Sequence, residues 1–242
     1  MINREHYTLL ANLLRYPEED FMLYLNESQI FLDESYLNAG NELRPFSEYM
    51  NNCPPDNMKE LFTKTFDVQP ICYLDLGYVM FGEDYKRGAF LLNMKGEQQK
   101  INNDCGTDLA DNICNVMDLM AISDDEIFLE DLVQNIFIPC VKMMIAEFES
   151  ARVDLKMKVL RKMHRAIIQE ELNHGNVYKN CLAALLEVLK ADFGEKQIAP
   201  EDENVLTSSH HRAFFNKNSI LQPSNHKLNK EAQDYASLQK LD

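Results

Sequence analysis

The sequence has no tryptophan, and its glycines and prolines number only eight each in 242 residues. Average usage of that pair is roughly 12%, so tight turns are scarce and a hairpin-rich β architecture is excluded. Valine is rare as well, at 10 residues against 30 leucines. Leucine loses less side-chain freedom in a helix than a β-branched residue does. Nothing approaches 18 consecutive apolar residues, so no membrane-spanning helix is expected. Positive charge is short: 24 Lys and Arg face 39 Asp and Glu, a net charge of −15. A phosphate-tracking surface needs a basic face, so nucleic acid is not an expected partner. Anionic membranes would repel the chain too, and a basic peptide suits such a field better. These shortages together predict an all-α, single-domain bundle of about eight to ten helices.

The six cysteines form no C-x-x-C pair and no zinc spacing. The first residues contain no apolar stretch of the signal-peptide kind. The expectation is a cytoplasmic protein with reduced, mostly buried thiols.

Apolar periodicity organises the chain. Tyr7, Leu10, Ala11 and Leu14 share one face of a helix over 3–15. Tyr16-Pro17 ends it, and Pro17 followed by acids starts a second helix. A third is expected over about 34–51, and Pro54-Pro55-Asp56 opens a fourth through Phe66. The apolar run 71–81 reads as a buried helix, closed by Gly82, with a helix resuming over 84–103. Residues 109–121 form a short helix. Leu132, Ile136, Cys140, Met144 and Phe148 continue one stripe, with a kink expected at Pro139. Helix is expected to run on to about 172, with Asn173-His174-Gly175 as its cap. A last core helix carries Tyr178, Leu182, Leu185 and Leu189 and ends near Gly194. The helical domain thus spans 1–195. Residues 196–242 read as a flexible tail, with a short helix near 228–240.

Enzyme motifs are absent. Gly77 and Gly82 have the spacing of a phosphate loop, but Glu83 stands where its lysine belongs. Glu171-x-x-His174 is the best metal pair, yet a di-iron bundle needs a second one. No catalytic residue, metal ligand or cofactor is therefore expected. The clearest functional signal is charge segregation. Between Ile101 and Val141 there is no Lys or Arg, while Asp104, Asp108, Asp111, Asp118, Asp124 and Asp125 fall there. Such a stretch is either a solvated face or the lining of a site for a cationic ligand.

Three segments, in order, resemble the NarJ/TorD family, which includes DmsD. These are cytoplasmic assembly chaperones of molybdenum-containing respiratory reductases. The segments are Leu13-Leu14-Arg15-Tyr16-Pro17-Glu18-Glu19, Gly82-Glu83-Asp84-Tyr85-Lys86-Arg87-Gly88 and Asp108-Leu109-Ala110-Asp111-Asn112-Ile113. The last is closest to the nitrate reductase branch, although Ala110 and Asn112 replace the family's proline and histidine. The resemblance covers roughly 5–193. It implies a helical domain without catalysis that binds the N-terminal signal or signal-like segment of a reductase catalytic subunit. That subunit is then held for insertion of its molybdenum cofactor. Asp108, Asp111, Tyr73, Phe81 and Glu83 become the expected peptide-binding residues. Tyr16, Pro17, Gly82, Arg87 and Gly88 become structural motif positions, with Gly88 admitting a close helix and Arg87 bridging to an acid such as Asp111. Two alternatives remain: a structural accessory subunit of an oxidoreductase, and a helical metal-binding protein built on Glu171 and His174.

Overall fold

The computed structural model describes residues 4–68, 70–149 and 177–195. Among these the fold is all-α. The helices are α1 (His6–Ala11), α2 (Phe21–Ser35), α3 (Leu37–Asn51), α4 (Pro55–Phe66), α5 (Leu76–Phe81) and α6 (Lys86–Lys100). They are followed by α7 (Ile113–Ile122), α8 (Glu126–Leu132), α9 (138–149) and α10 (Val177–Phe193). The expected helix, metal pair and cap between 150 and 176, and the tail from 196, lie outside the described residues.

Helix α10 lies against α3, α3 against α2, and α1 against α7. The shared core holds Phe46, Tyr178, Leu182, Leu185 and Leu189, all buried. Tyr178 sits within an aromatic cluster, its ring 5.1 Å from Phe46 and 4.9 Å from Phe66. Its hydroxyl is buried with no hydrogen-bond partner among the described residues. An unmade buried hydrogen bond costs roughly 1–3 kcal/mol. Tyr178→Phe is therefore expected to raise stability by about 1 kcal/mol in chemical denaturation. A fall would mean that the hydroxyl has a partner in solution.

Several helix boundaries differ from the sequence expectation. Helix α1 stops at Ala11, and tight turns carry 12–15. Helix α2 starts at Phe21, not at Pro17, so Pro17 is a buried loop residue rather than a first-turn proline. Pro55 does occupy the first turn of α4. The break expected at Pro139 sits just upstream. Residues Val133–Phe137 form a π-helical turn in which the Ile138 N–H reaches the Val133 carbonyl. Pro139 has no N–H and crowds the carbonyl four residues back. A π turn there spaces the backbone without ending the apolar stripe.

The run 71–81 departs most. Residues 71–75 are not helical, and only Leu76–Phe81 coil. Asp75 pairs instead with Asn112 in an isolated antiparallel bridge. The Leu76 N–H donates to the Asp111 carbonyl at 3.0 Å, and the Ile113 N–H donates to the Leu74 carbonyl at 2.8 Å. Gly82, at φ 57°, then closes α5 in a conformation that favours glycine.

The far end of α10 is tied down by Asp192. Its carboxylate accepts from Tyr7 at 2.8 Å, Tyr36 at 2.7 Å and His6 at 3.0 Å. Burial pushes the Asp192 carboxyl up, but these three hydrogen bonds outweigh it and hold the pKa below the ordinary value. Gly194, at φ 71°, turns the chain off the helix.

Candidate functional site

The turn after α1, the end of α4, the strand-like stretch 73–75 and the loop before α7 surround one cleft of ≈ 510 Å³. Long-range contacts explain the meeting. The bridge at Asp75 and Asn112 holds two of the four segments together. Packing of α1 on α7 brings the third. There the Cys114 thiol donates to the Ala11 carbonyl at 3.4 Å, and Arg15 pairs with Asp118. Helix α4 closes the wall through Phe62 and Phe66, and the Tyr16 ring meets Phe62 edge-on at 5.6 Å.

The cleft is both aromatic and acidic. Tyr16 and Tyr73 line it, each 44% exposed, with the Tyr73 ring packed 4.1 Å from that of Tyr78. Glu18, Asp67, Asp75 and Asp108 supply carboxylates against one lining cation, Arg15, which is already paired. Among the described residues Glu18, Asp67 and Asp108 have no ion-pair partner. A nearby cation, Lys59, places its ammonium 5.9 Å above the Tyr16 ring. Asp75 is half-buried, with the Arg87 guanidinium 3.9 Å away. Burial raises its pKa, while the Asn112 amide and Arg87 oppose that shift and Asp108 adds to it. The site can therefore receive a cation beside an apolar group.

The expected peptide-binding residues divide. Tyr73 and Asp108 line the cleft. Asp111 does not present itself to a ligand, because it is 0% exposed. Its Oδ2 accepts the Gly77 N–H at 2.9 Å, and its Oδ1 is buried without a partner among the described residues. Burial and the neighbouring Asp75 push its pKa up to about 6. The helix cap at this point is Asn112, which accepts the Cys114 N–H at 3.0 Å. Phe81 packs on Phe90 at 5.7 Å and Glu83 is exposed beyond Gly82, and neither lines the cleft.

Arg87 reaches Asp75 rather than Asp111, and its guanidinium lies 4.9 Å over the Tyr78 ring. Gly88 has nothing within 4 Å of where a Cβ would sit, so it does not admit a close helix. Gly77 does: a Cβ there would stand 2.5 Å from Asp111 Oδ2 and 2.9 Å from Phe90. A lone glycine inside the apolar run 71–81 is a signal of close backbone approach. Asp75, Phe62 and Phe66 carried no signal of their own, since each joins the cleft only through long-range packing.

The thiols are all free, as expected of reduced cysteines. Burial pushes Cys72 and Cys114 up to about 12, with Cys140 and Cys181 higher still. Such thiols are poor nucleophiles and poor metal ligands. No group of three potential metal-ligating side chains occurs among the described residues. No described helix is long and apolar enough to cross a membrane. No protein-family model matches the chain, and no curated protein matches it.

Proposed function

We propose that the protein is a chaperone of the NarJ/TorD type, acting in the cytoplasm. It binds the N-terminal signal or signal-like segment of a molybdenum-containing reductase subunit, and the nitrate reductase branch is the nearest candidate. One observation carries this. The first and third segments of the sequence resemblance, far apart in the chain, line the same cleft through Leu14, Arg15, Tyr16, Glu18, Asp108 and Asn112. The second segment adjoins it through Arg87 and Asp75. A signal-like peptide pairs basic residues with an apolar stretch, and the cleft offers carboxylates without an ion-pair partner among the described residues beside partly exposed tyrosines. Binding of this kind needs no catalysis and no cofactor held by the chaperone.

The test is affinity purification from the native host with mass spectrometry, followed by calorimetry with the recovered subunit's N-terminal peptide. A molybdenum reductase subunit should co-purify, and its peptide should bind with about micromolar affinity, near −8 kcal/mol. Asp108→Asn should weaken that binding by up to about tenfold, or ~1.4 kcal/mol. Because Asp108 is exposed and caps no helix, its melting temperature should stay unchanged. Unchanged affinity would remove the acidic rim from the mechanism.

A further inference from the structure

The chain carries its own segment of the complementary chemistry. Residues 204–230 contain no Asp or Glu, in a protein of net charge −15. They hold Arg212, Lys217, Lys227 and Lys230, and within them His210-His211-Arg212-Ala213-Phe214-Phe215-Asn216-Lys217 sets bases on both sides of two aromatic rings. The cleft shows the inverse pattern, with Glu18, Asp67 and Asp108 lacking an ion-pair partner among the described residues around Tyr16 and Tyr73.

We propose that the segment around His210–Lys217 docks in this cleft of the same molecule and occludes it until a partner peptide displaces it. The occlusion rests on the peptide-binding role proposed above, whereas the docking itself rests on charge and apolar complementarity. Reach is sufficient. Helix α10 is fixed by Asp192 and the described chain ends at residue 195. The 17 steps to Arg212 span at most roughly 55–60 Å. A 195-residue domain has a radius of gyration of about 16 Å, so every face lies within range. Treated as a random coil, 17 residues would have a root-mean-square span of about 23 Å, which would give an effective concentration on the order of millimolar. A segment of micromolar intrinsic affinity would then fill the cleft in nearly all molecules. Lys217 and Arg212 would meet the free carboxylates, and Phe214 and Phe215 the tyrosine and phenylalanine wall.

Full-length protein carrying a photoreactive benzoylphenylalanine in place of Phe214 tests the contact. Irradiation and peptide mapping should give an intramolecular cross-link to residues 14–18, 62–75 or 108–114. Cross-links elsewhere, cross-links between two copies, or a yield no higher than for the same probe at Ala236 would overturn the proposal. A labelled synthetic peptide of residues 207–219, added in trans, tests the occlusion. It should bind full-length Arg212→Glu/Phe214→Ser/Phe215→Ser at least tenfold more tightly than the wild type, and adding Asp108→Lys should abolish that binding. Equal affinity for wild type and variant overturns it. The two proposals fail separately. A cis cross-link in the cleft with no competition from a reductase N-terminal peptide supports the docking and removes the chaperone role. A reductase peptide that depends on Asp108, with no cis cross-link, does the reverse.

Discussion

Gly77→Ala is expected to be the most damaging single methyl group that can be added near the cleft. Gly77 lies in the first turn of α5, buried, where its N–H donates to Asp111 Oδ2 at 2.9 Å. The new Cβ would sit 2.5 Å from that oxygen and 2.9 Å from a ring carbon of Phe90. Neither neighbour can retreat freely, because Asp111 is held by the bridge at Asp75 and Asn112 and Phe90 is fully buried. Overpacking of this kind costs about 1–3 kcal/mol. Losing a hydrogen bond to a charged acceptor adds about 1.5–3 kcal/mol. The expected total is about 3–5 kcal/mol, which for a domain of this size lowers the melting temperature by roughly 6–20 °C. The Asp75 wall of the cleft should loosen with it, so peptide binding should fall as well. Gly88→Ala is the control: nothing lies within 4 Å of its Cβ, and the helix gains a better former. Equal melting temperatures for Gly77→Ala and wild type would show that the contact is not rigid.

Asp111→Asn should change the pH dependence of stability more than any other substitution of one surface-remote atom. The Asp111 carboxyl is pushed up to about 6 by burial first and by Asp75 second, against an ordinary value near 4. Gly77 and Arg87 pull the other way without prevailing. The folded state therefore binds this proton more tightly than the unfolded chain. The stability linked to it is fully present below pH ~4 and is lost as pH rises through ~6. A shift of two units corresponds to about 2–3 kcal/mol. Asparagine keeps an oxygen for the Gly77 N–H and carries no charge. The stability of the variant minus that of the wild type should thus rise by about 2–3 kcal/mol between pH 4 and pH 7.5. Paired urea titrations across that range measure the difference and cancel the carboxylates that do not interact with Asp111, while any change at Asp75 is part of the effect. A difference that stays flat would mean that Asp111 titrates normally and that solvent reaches its second oxygen.

The helices were legible from the residues alone, because a 3.6-residue period, two proline breaks and few glycines leave little else for this chain to do. Tyr178, Leu182, Leu185 and Leu189 face the core as their spacing requires. The free state of the six thiols was legible as well. Of the residues expected to bind peptide, Tyr73 and Asp108 line the cleft. Asp108 and Asp111 could not be told apart by sequence, since both are aspartates in one short loop. Only the bridge between 74–76 and 111–113 turns Asp111 inward onto Gly77 and leaves Asp108 in solvent. The run 71–81 misled for the same reason. Its apolar character fits a buried helix, but within 71–75 only Cys72 is buried and Tyr73 is exposed, while the backbone at 74–76 pairs with a loop some 37 residues on. Local periodicity reports which side chains leave water. It carries no information about which distant backbone completes the hydrogen bonds, and that choice, made by tertiary packing, is what assembled the acidic and aromatic walls into one cleft.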